Sequence, residues 1–523
     1  MKSKSFLFCI TLLLACNFFS SAQIKKEITT EKVDILQDTL AKITKPQKSV
    51  TQGTVTVEGT RINYQAVAGT LILKNKNDTP TCSMFYVAYF KTGDEDNSKR
   101  PVTFIYNGGP GSSTIWLHMG AWGPQRVFLQ DTQRIVPPYK TVNNDYSLLD
   151  ASDLVFIDMP GTGFSRLITK NKGGAGTPKD FYSVDGDGHA FADFIKNFLS
   201  TYNRWNSPKY LFGESYGTFR SAVIANILEN EDNIDLNGVI LLSQLLSYDK
   251  SQGAETHPGG ILSYVLALPT EAAAAWYHHK IPNRPAELVP FLDEVKHFAI
   301  TDYSLALLQG SLLDSATFSR MVEKLHDYTG LPASYIRKAN LRIGLGRFEK
   351  ELLADEGKIT GAYDAMFTGP DMDPLSEYPG FEPTSSTVES AFISTFNNYL
   401  RKDLKFGEGM TYKPNNYSNI IPHFDYRAAY MSTGQKFYAN VMPDLAASMV
   451  YNPKLKVMLN MGYFDLVTPF FEGEYEMHHL PIPAELQKNI SYFHYLSGHM
   501  VYLHLATLKE LHDNVAKFIN DTH

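Results

Sequence analysis

The stretch Lys209-Tyr210-Leu211-Phe212-Gly213-Glu214-Ser215-Tyr216-Gly217 decides the fold predicted for this chain. Its first four residues are mostly apolar and predict a short buried strand, and the residues after Gly217 carry apolar side chains at helical spacing. The turn between them has the pattern G-x-S-x-G, which is typical of a sharp strand-to-helix turn that exposes a serine hydroxyl. Two glycines are needed because larger residues would clash in so tight a turn. An ordinary glycine-rich turn is the alternative, so the partners of Ser215 decide between them.

Five further apolar runs predict a parallel sheet around this strand. They alternate with helical or glycine-rich stretches, as expected when helices cover both faces of a sheet. The runs comprise residues 101–106, 153–158, 238–242, 455–459 and 490–495. Residues 51–106 alternate instead with a period of two and predict antiparallel strands that open the domain.

The first residues predict an export signal. Lys2 and Lys4 precede an apolar run, and small residues at Ser20 and Ala22 fit cleavage after Ala22, which makes residues 1–22 a signal peptide. The alternative is a lipoprotein signal with a lipid anchor at Cys16. Residues 23–50 are polar and are predicted to form a tether.

Composition limits the class of protein and the compartment. The chain has 523 residues, of which 43% are hydrophobic and 20% charged, as in soluble globular proteins, and no stretch after the signal is apolar enough to span a membrane. The net charge of −7 gives no basic field for nucleic acid. Beyond the signal, Cys82 stands alone, so no internal disulfide is expected, which suits a bacterial periplasm or exterior.

The domain organisation follows from a change of character between two of the predicted strands. Residues 249–449 contain helical stretches punctuated by Gly and Pro and are predicted to be a mostly helical cap. Residues 51–248 and 450–523 are predicted to form the catalytic α/β domain. The sequence leaves the oligomeric state open.

Two later residues supply the partners that a serine nucleophile needs. A serine requires a histidine base, and the base requires an orienting carboxylate. Asp465 follows the predicted strand 455–459, and His499 follows the predicted strand 490–495, which is the chain order expected when the serine lies on such a turn. His499 is predicted to open a helix with Val501, Leu505, Leu508 and Leu511 on its apolar face.

A glycine-rich loop after the strand 101–106 supplies the remaining requirement. An acyl-transfer site needs two backbone N–H groups that point at the oxygen gaining charge. Tyr216, which follows the nucleophile, offers one, and the loop Asn107-Gly108-Gly109-Pro110-Gly111-Ser112-Ser113 is the candidate for the other.

These motifs together resemble the serine carboxypeptidases, the family of carboxypeptidase Y and cathepsin A, within the α/β-hydrolase superfamily. The glycine loop is similar to W-N-G-G-P-G-C-S-S, and residues 153–165 are similar to L-F-L-D-x-P-x-G-x-G-F-S. Gly213 to Gly217 resembles G-E-S-Y-A-G without the alanine, and the residues from Gly498 to Val501 resemble G-H-x-V. The resemblance extends over residues 100 to 500 but includes no motif of the cap.

The resemblance implies an α/β-hydrolase fold and hydrolysis of C-terminal residues from peptides through an acyl-enzyme. No cofactor is expected, and the pairs His278-His279 and His478-His479 lack the spacing of metal ligands. The resemblance implies a catalytic triad of Ser215, Asp465 and His499, and an oxyanion hole formed by the N–H groups of Gly109 and Tyr216. It also implies that Asn107 and Glu214 bind the substrate's terminal carboxylate. In the family, a second glutamate keeps this glutamate protonated, because two adjacent carboxyls cannot cheaply both ionise.

The sequence departs from the family at the second glutamate, whose position holds Ala121. Without that partner, Glu214 is expected to ionise and to repel a terminal carboxylate. Arg126 is one candidate for compensating charge, and a surface salt bridge is the alternative role for it. The departure leaves room for an esterase or acyltransferase with the same triad, and a non-catalytic exported binding protein is the alternative outside the enzymes.

Overall fold

The computed structural model describes residues 43–93, 96, 98–248, 259–429 and 436–523. The predicted signal peptide and most of the predicted tether lie outside these residues. The described strands are β1 (Lys48–Val57), β2 (Thr60–Lys74), β3 (Pro80–Lys91), β4 (Val102–Tyr106), β5 (Gln125–Val127), β6 (Thr141–Asn143), β7 (Asp153–Ile157), β8 (Arg166–Leu167), β9 (Lys209–Glu214), β10 (Gly238–Leu242), β11 (Lys358–Thr360), β12 (Thr368–Pro370), β13 (Arg427–Ala429), β14 (Lys436–Tyr438), β15 (Lys456–Gly462) and β16 (Ile490–Tyr495).

The described α-helices are α1 (Val184–Thr201), α2 (Tyr216–Asn226), α3 (Leu262–Tyr277), α4 (Leu288–Phe298), α5 (Ser304–Gln309), α6 (Ser315–Thr329), α7 (Ala333–Lys338), α8 (Leu345–Glu351), α9 (Pro383–Lys402), α10 (Tyr417–Ile420), α11 (Met442–Tyr451), α12 (Phe470–His478) and α13 (Leu505–Thr522). Within the described part of the chain, no helix is both long and apolar enough to cross a membrane.

One large mixed sheet carries the fold, in the order β1-β2-β3-β7-β4-β9-β10-β15-β16, with β8 paired to β3. The pairs β1–β2, β2–β3 and β3–β7 are antiparallel, whereas every pair from β7 to β16 is parallel. The predicted antiparallel opening strands and parallel centre are therefore confirmed. The strand β1 begins at Lys48, so the last three residues of the predicted tether belong to the sheet.

Helices cover both faces of the parallel strands, because each strand sends alternate side chains to opposite sides. On β10, Val239 and Leu241 pack in one core with Phe191 of α1, whereas Ile240 and Leu242 pack in a second core with residues of α13. The sheet and its helices therefore form a doubly wound α/β architecture of the α/β-hydrolase type, as the sequence predicts.

The chain between β10 and β15 is rich in helices, from α3 to α11. Helix α9 packs into the second core through Val388, Phe392 and Phe396, beside the start of the catalytic domain. Helix α11 crosses the predicted boundary at residues 449 and 450 and contacts α2, where Asn226 donates to Asp444 at 2.8 Å. We therefore propose that the cap ends before Met442 and that α11 belongs to the catalytic domain.

Candidate active site

Ser215 lies on the turn between β9 and α2, as the sequence predicts. Its backbone has φ 60° and ψ −131°, a strained conformation for a residue with a side chain. A Cβ on Gly213 would lie 2.1 Å from the carbonyl oxygen of Gly217, which explains why this position requires glycine. The Ser215 N–H donates to the Leu242 carbonyl of β10 at 2.9 Å, so the neighbouring strand fixes the turn.

Asp465 and His499 meet at the carboxyl ends of β15 and β16. Their side chains form a hydrogen bond of 2.8 Å between His499 Nδ1 and Asp465 Oδ2. Both side chains are buried, and Asp465 Oδ1 accepts backbone N–H groups from Val467 and Thr468. The Thr468 hydroxyl donates to Asp465 Oδ2 at 2.6 Å. This network engages Nδ1 of the imidazole, and no hydrogen bond to Nε2 is seen among the described residues.

The charge around His499 favours its protonated form. Burial alone lowers the pKa of His499, but the Asp465 carboxylate outweighs burial, and Glu214 and Glu382 add to its effect, so the pKa is raised above its ordinary value. A proton taken up by this imidazole is thereby stabilised.

The glycine loop after β4 approaches the turn at Ser215 closely. A Cβ on Gly108 would lie 2.4 Å from the backbone nitrogen of Tyr216. Gly109 has φ 108°, a conformation that favours glycine. Among the described residues, no backbone carbonyl outside the regular helices and strands accepts a hydrogen bond from the Gly109 N–H or from the Tyr216 N–H. Two N–H groups are thus available beside Ser215.

Residues of the predicted cap form hydrogen bonds with this loop. The Ser113 N–H donates to the Pro414 carbonyl at 2.9 Å, and the Asn416 N–H donates to the Gly111 carbonyl at 2.8 Å. The cap therefore stabilises the conformation of the glycine loop.

Asn107 and Glu214 lie beside each other at the base of the site, and both are buried. Tyr502 donates a hydrogen bond of 2.8 Å from its hydroxyl to Glu214 Oε2. Asn107 Nδ2 is buried and forms no hydrogen bond of normal geometry with a described residue, although it lies close enough to the Glu214 carboxyl to lower the pKa of that group. Its amide is therefore available to an incoming acceptor.

Burial raises the pKa of Glu214 to about 7, against the opposing effects of His499, the Tyr502 hydroxyl and the Asn107 amide. The expectation that Glu214 ionises readily without a second glutamate is therefore wrong. Burial in a low-dielectric site disfavours the charged form even though Ala121 offers no carboxyl. Below about pH 7 this side chain is mostly neutral and can donate a hydrogen bond.

Arg126 does not compensate for Ala121. It lines a separate cavity of about 330 Å³ together with Asp131, Tyr502 and His504. Its Nη1 lies 3.4 Å from the Val127 carbonyl. Arg126 does not line the cavity that contains Glu214, and a surface salt bridge remains the predicted alternative role for it.

Ser215, His499, Asn107 and Glu214 line one cavity of about 260 Å³. The catalytic domain also contributes Trp116, Val467 and Met500 to the wall, and the region between β10 and β15 contributes Tyr363, Ser385, Val388, Glu389, Tyr417 and Ile421. The cap residues carry no motif that the sequence could match, and only the structure places them at the site.

One cap loop holds the backbone around His499. The Tyr363 carbonyl accepts the His499 N–H at 2.5 Å, and Asp364 Oδ2 accepts the Gly498 N–H at 3.0 Å. His504 Nε2 contacts the same Asp364 oxygen at 2.8 Å. We call Tyr363 and Asp364 the histidine clamp.

The helix predicted to begin at His499 begins later. His499 lies in a loop before a short 3-10 turn, Val501–Leu503, and α13 begins at Leu505. Leu505 is 53% exposed and does not belong to the apolar face. The hydrogen bonds of the histidine clamp keep the loop in a non-helical conformation.

Arg220 and Asp187 form a buried ion pair that the sequence does not reveal. Arg220 Nε contacts Asp187 Oδ2 at 2.7 Å, and Arg220 Nη1 donates to the Asn107 carbonyl at 2.7 Å. Its guanidinium also lies over the Phe191 ring, 4.3 Å from the centroid. The pair fixes the start of the glycine loop. Its only signal in the sequence is an arginine on the first turns of α2, which is an ordinary helix residue.

One group of described residues has the spacing of a metal site, namely Glu58, His512 and Asp513. Lys509 already contacts Glu58 at 2.9 Å and Asp513 at 2.7 Å. None of these residues lines the cavity at Ser215. We assign no metal to them.

Comparison with known proteins shows which proteins this chain is similar to. Residues 58–267 match the family model described as serine carboxypeptidase. The predicted resemblance to the serine carboxypeptidases is confirmed. A carboxypeptidase Y homolog from Arthroderma benhamiae is 29% identical over 172 residues, covering 32% of this chain and 31% of that protein. The serine carboxypeptidase-like 34 protein of Arabidopsis thaliana is 29% identical over 227 residues, covering 41% and 39%. The chain thus spans about a third of the length of these serine carboxypeptidase relatives.

Similarity to one solved structure extends over more of the chain than the sequence matches do. The crystal structure of Kex1, a prohormone-processing carboxypeptidase from Saccharomyces cerevisiae, superposes with a TM-score of 0.52 over 87% of this chain and 91% of that chain. Its sequence identity is 16%, so the likeness is one of fold.

Proposed function

We propose that this protein is a serine carboxypeptidase that hydrolyses C-terminal residues from peptides. The observation that carries the proposal is one cavity lined by both Ser215, on a strained turn, and His499, whose Nδ1 is hydrogen-bonded to the buried Asp465. Ser215 Oγ attacks the carbonyl carbon of the last peptide bond while His499 Nε2 takes its proton. His499 then protonates the leaving amine, and water resolves the acyl-enzyme by the reverse sequence.

The backbone supplies the oxyanion hole in this proposal. The Gly109 and Tyr216 N–H groups donate to the substrate oxygen as it gains negative charge. No cofactor takes part, because the nucleophile, the base and the electrophilic stabilisation all come from the chain.

Terminal-carboxylate recognition is the step that makes the enzyme a carboxypeptidase. In the proposal, the unpartnered Asn107 Nδ2 and the protonated Glu214 carboxyl donate to the substrate's carboxylate. The Tyr502 hydroxyl holds Glu214 in place by its hydrogen bond to Glu214 Oε2. An ionised Glu214 would repel the same carboxylate, so binding weakens as the pH rises above about 7.

The predicted signal peptide extends the proposal to the compartment in which the protein acts. We propose that residues 1–22 direct export to a bacterial periplasm or exterior, with lipid anchoring at Cys16 as the alternative. In either compartment the enzyme would meet peptides outside the cytoplasm.

The test uses the purified chain and a mixture of peptides read by mass spectrometry. We expect stepwise loss of single C-terminal residues, abolished by Ser215→Ala and retained by Ser200→Ala, an exposed serine on α1. Peptides with an amidated C-terminus should be cut far more slowly. Rapid cleavage of amidated peptides or acyl esters, with free-acid peptides left intact, would favour the esterase. An unchanged mixture and no labelling of Ser215 by a fluorophosphonate would overturn the proposal.

A further inference from the structure

The cavity that contains Arg126, which we call the Arg126 cavity, is separate from the cavity at Ser215. Its volume is about 330 Å³, and the two cavities share none of the described residues that line them. Residues from two segments, 120–131 and 502–508, form its wall. Sites for small molecules in proteins have volumes of about 300 to 1,000 Å³. The Arg126 cavity is therefore large enough for a small organic ligand, and the groups in its wall decide which class of ligand fits.

Arg126 lies in this wall without a counter-charge. Its Nε is buried and has no hydrogen-bond partner, and its Nη1 makes only a long contact of 3.4 Å with the Val127 carbonyl. The ion pairs that described arginines form do not include Arg126. Burial lowers the pKa of the Arg126 guanidinium, and Asp145 opposes this effect without forming an ion pair with it. A partly desolvated cation without a counter-charge is costly, and an anionic ligand would remove that cost.

The other ionisable side chains in the wall already have partners. The Tyr502 hydroxyl is engaged at the active site. His504 contacts Asp131 through Nδ1 and Asp364 through Nε2, so both of its nitrogens are occupied. Burial opposes the protonated form of His504, but the two carboxylates outweigh burial and raise its pKa. Among the described residues of the wall, Arg126 is thus the charged side chain that an incoming ligand can neutralise.

The rest of the wall is mostly apolar and partly open to solvent. Phe128 is 37% exposed and Leu505 is 53% exposed, although both are large apolar side chains. A single exposed apolar residue is ordinary in a protein, but these two line the same cavity. A ligand with an apolar body would remove apolar surface of both residues from water, which is favourable.

The two features together restrict the class of ligand. An inorganic anion would neutralise Arg126 but leave Phe128 and Leu505 exposed. A neutral apolar molecule would cover these side chains but leave the guanidinium without a counter-charge. A carboxylate on an apolar body does both, and the planar guanidinium matches the two oxygens of a carboxylate.

We propose that the Arg126 cavity is a second ligand site, which binds a small carboxylate with an apolar body. Arg126 pairs with the carboxylate, and Phe128 and Leu505 cover the apolar body. Two kinds of compound present this chemistry, namely a free aliphatic acid and an apolar amino acid. The site is separate from the peptide-binding cavity, so the proposal does not depend on the proposed hydrolysis.

The test titrates the purified chain by calorimetry with isocaproate, which is leucine without its amino group, and with isocaproamide, which lacks the charge. We expect isocaproate to bind and isocaproamide to bind at least about tenfold more weakly. Arg126→Gln should weaken the binding of isocaproate by about tenfold, and Leu505→Ser by about threefold. Arg134→Gln removes an exposed arginine outside the cavity and should leave the affinity unchanged. Leu505→Ser keeps Arg126 in place and tests the site even if Arg126→Gln does not fold.

Leucine and inorganic phosphate are titrated in parallel. Leucine that binds more tightly than isocaproate identifies amino acids as the ligands, and weaker binding of leucine identifies free acids. Either result supports the site if Arg126→Gln weakens the binding. Phosphate that binds as tightly as isocaproate would overturn the proposal, because the apolar body would then contribute nothing.

The cavity at Ser215 is the competing location for a carboxylate, and Asn107→Ala distinguishes the two. This variant should retain the binding of isocaproate. Binding that Asn107→Ala abolishes and Arg126→Gln leaves unchanged would place the carboxylate in the cavity at Ser215 and overturn the proposal. Equal affinities for isocaproate and isocaproamide, or no binding of isocaproate, would overturn it as well and leave the carboxypeptidase function standing.

Discussion

Glu214 has a raised pKa from burial, where the resemblance would attribute it to a second glutamate. The resemblance implies a pair of carboxyls, yet Ala121 stands where the second would be. Burial is the largest cause of the rise in the pKa of Glu214 to about 7, and the Tyr502 hydroxyl works in the opposite direction. Tyr502 therefore tunes the pH at which Glu214 stops donating.

Replacing Tyr502 with Phe should move this transition to higher pH. The hydroxyl stabilises the ionised carboxylate, so its loss raises the pKa of Glu214 further, by roughly one unit. KM for a free-acid peptide, measured from pH 5.5 to 9, should begin to rise about one unit later than in the wild type.

The matched control is Glu214→Gln, which donates at every pH. Its KM should not vary across this range. It also removes the carboxylate that contributes to the raised pKa of His499, so the acid limb of kcat/KM should move to lower pH. An unchanged KM profile in Tyr502→Phe would contradict the assigned role of the hydroxyl.

At the scale of elements, the sequence predicts the catalytic sheet well and the cap contacts poorly. Buried parallel strands are short, continuous and apolar, so the strands before Asn107, Ser215 and Asp465 can be predicted from the sequence alone. Helices α3, α6 and α9 can likewise be predicted from their amino-acid composition. The start of α13 is not, because hydrogen bonds to a loop more than a hundred residues earlier hold His499 outside the helix.

The same limit explains the missed site residues. Glu389, Tyr363 and Tyr417 look like ordinary helix or loop residues until the cap is placed over the sheet. Arg220 and Asp187 are equally ordinary in sequence and meet only when α1 packs beside α2. Sequence motifs reveal the residues that react. The residues that position them become apparent only from contacts in the folded structure.

The histidine clamp yields a prediction at this scale. Asp364→Ala removes the acceptor of the Gly498 N–H and the partner of His504, so the loop that carries His499 loses its fixed position. We expect kcat to fall roughly ten- to hundredfold, with KM changed less, because small misplacements of a base cost rate rather than binding. Steady-state kinetics on one free-acid peptide measures both constants.

Asp364→Asn retains an acceptor for Gly498 and should recover part of kcat. Asp355→Asn is a control in the same region, since Asp355 is 74% exposed and pairs with Lys280 at the surface. A fall in kcat that Asn does not relieve at all, with a lowered melting temperature, would indicate a structural role alone.

At the scale of the whole molecule, buried acids outside the active site connect stability to pH. Glu271 on α3 is 3% exposed, and its Oε1 has no hydrogen-bond partner among the described residues. Burial raises the pKa of Glu271 to about 8, and burial followed by the nearby Glu382 raises that of Glu349 on α8 to about 8. Both lie in the region between β10 and β15, so we expect that region to be the more sensitive part of the protein to alkaline pH.

The sign follows from proton binding. Between about pH 5 and pH 8, Glu271 is protonated in the folded protein and ionised in the unfolded chain, so the folded state binds more protons. The free energy of unfolding therefore falls as the pH rises, by about 1.4 kcal/mol per pH unit for each such group.

Glu271→Gln removes one group and should make the dependence shallower by that amount, with the variant more stable than the wild type at pH 8. Glu323→Gln, an exposed control on α6, should follow the wild type. Urea unfolding at pH 5, 6.5 and 8 measures the slopes, and parallel slopes for Glu271→Gln and the wild type would show that Glu271 is already ionised in the folded protein.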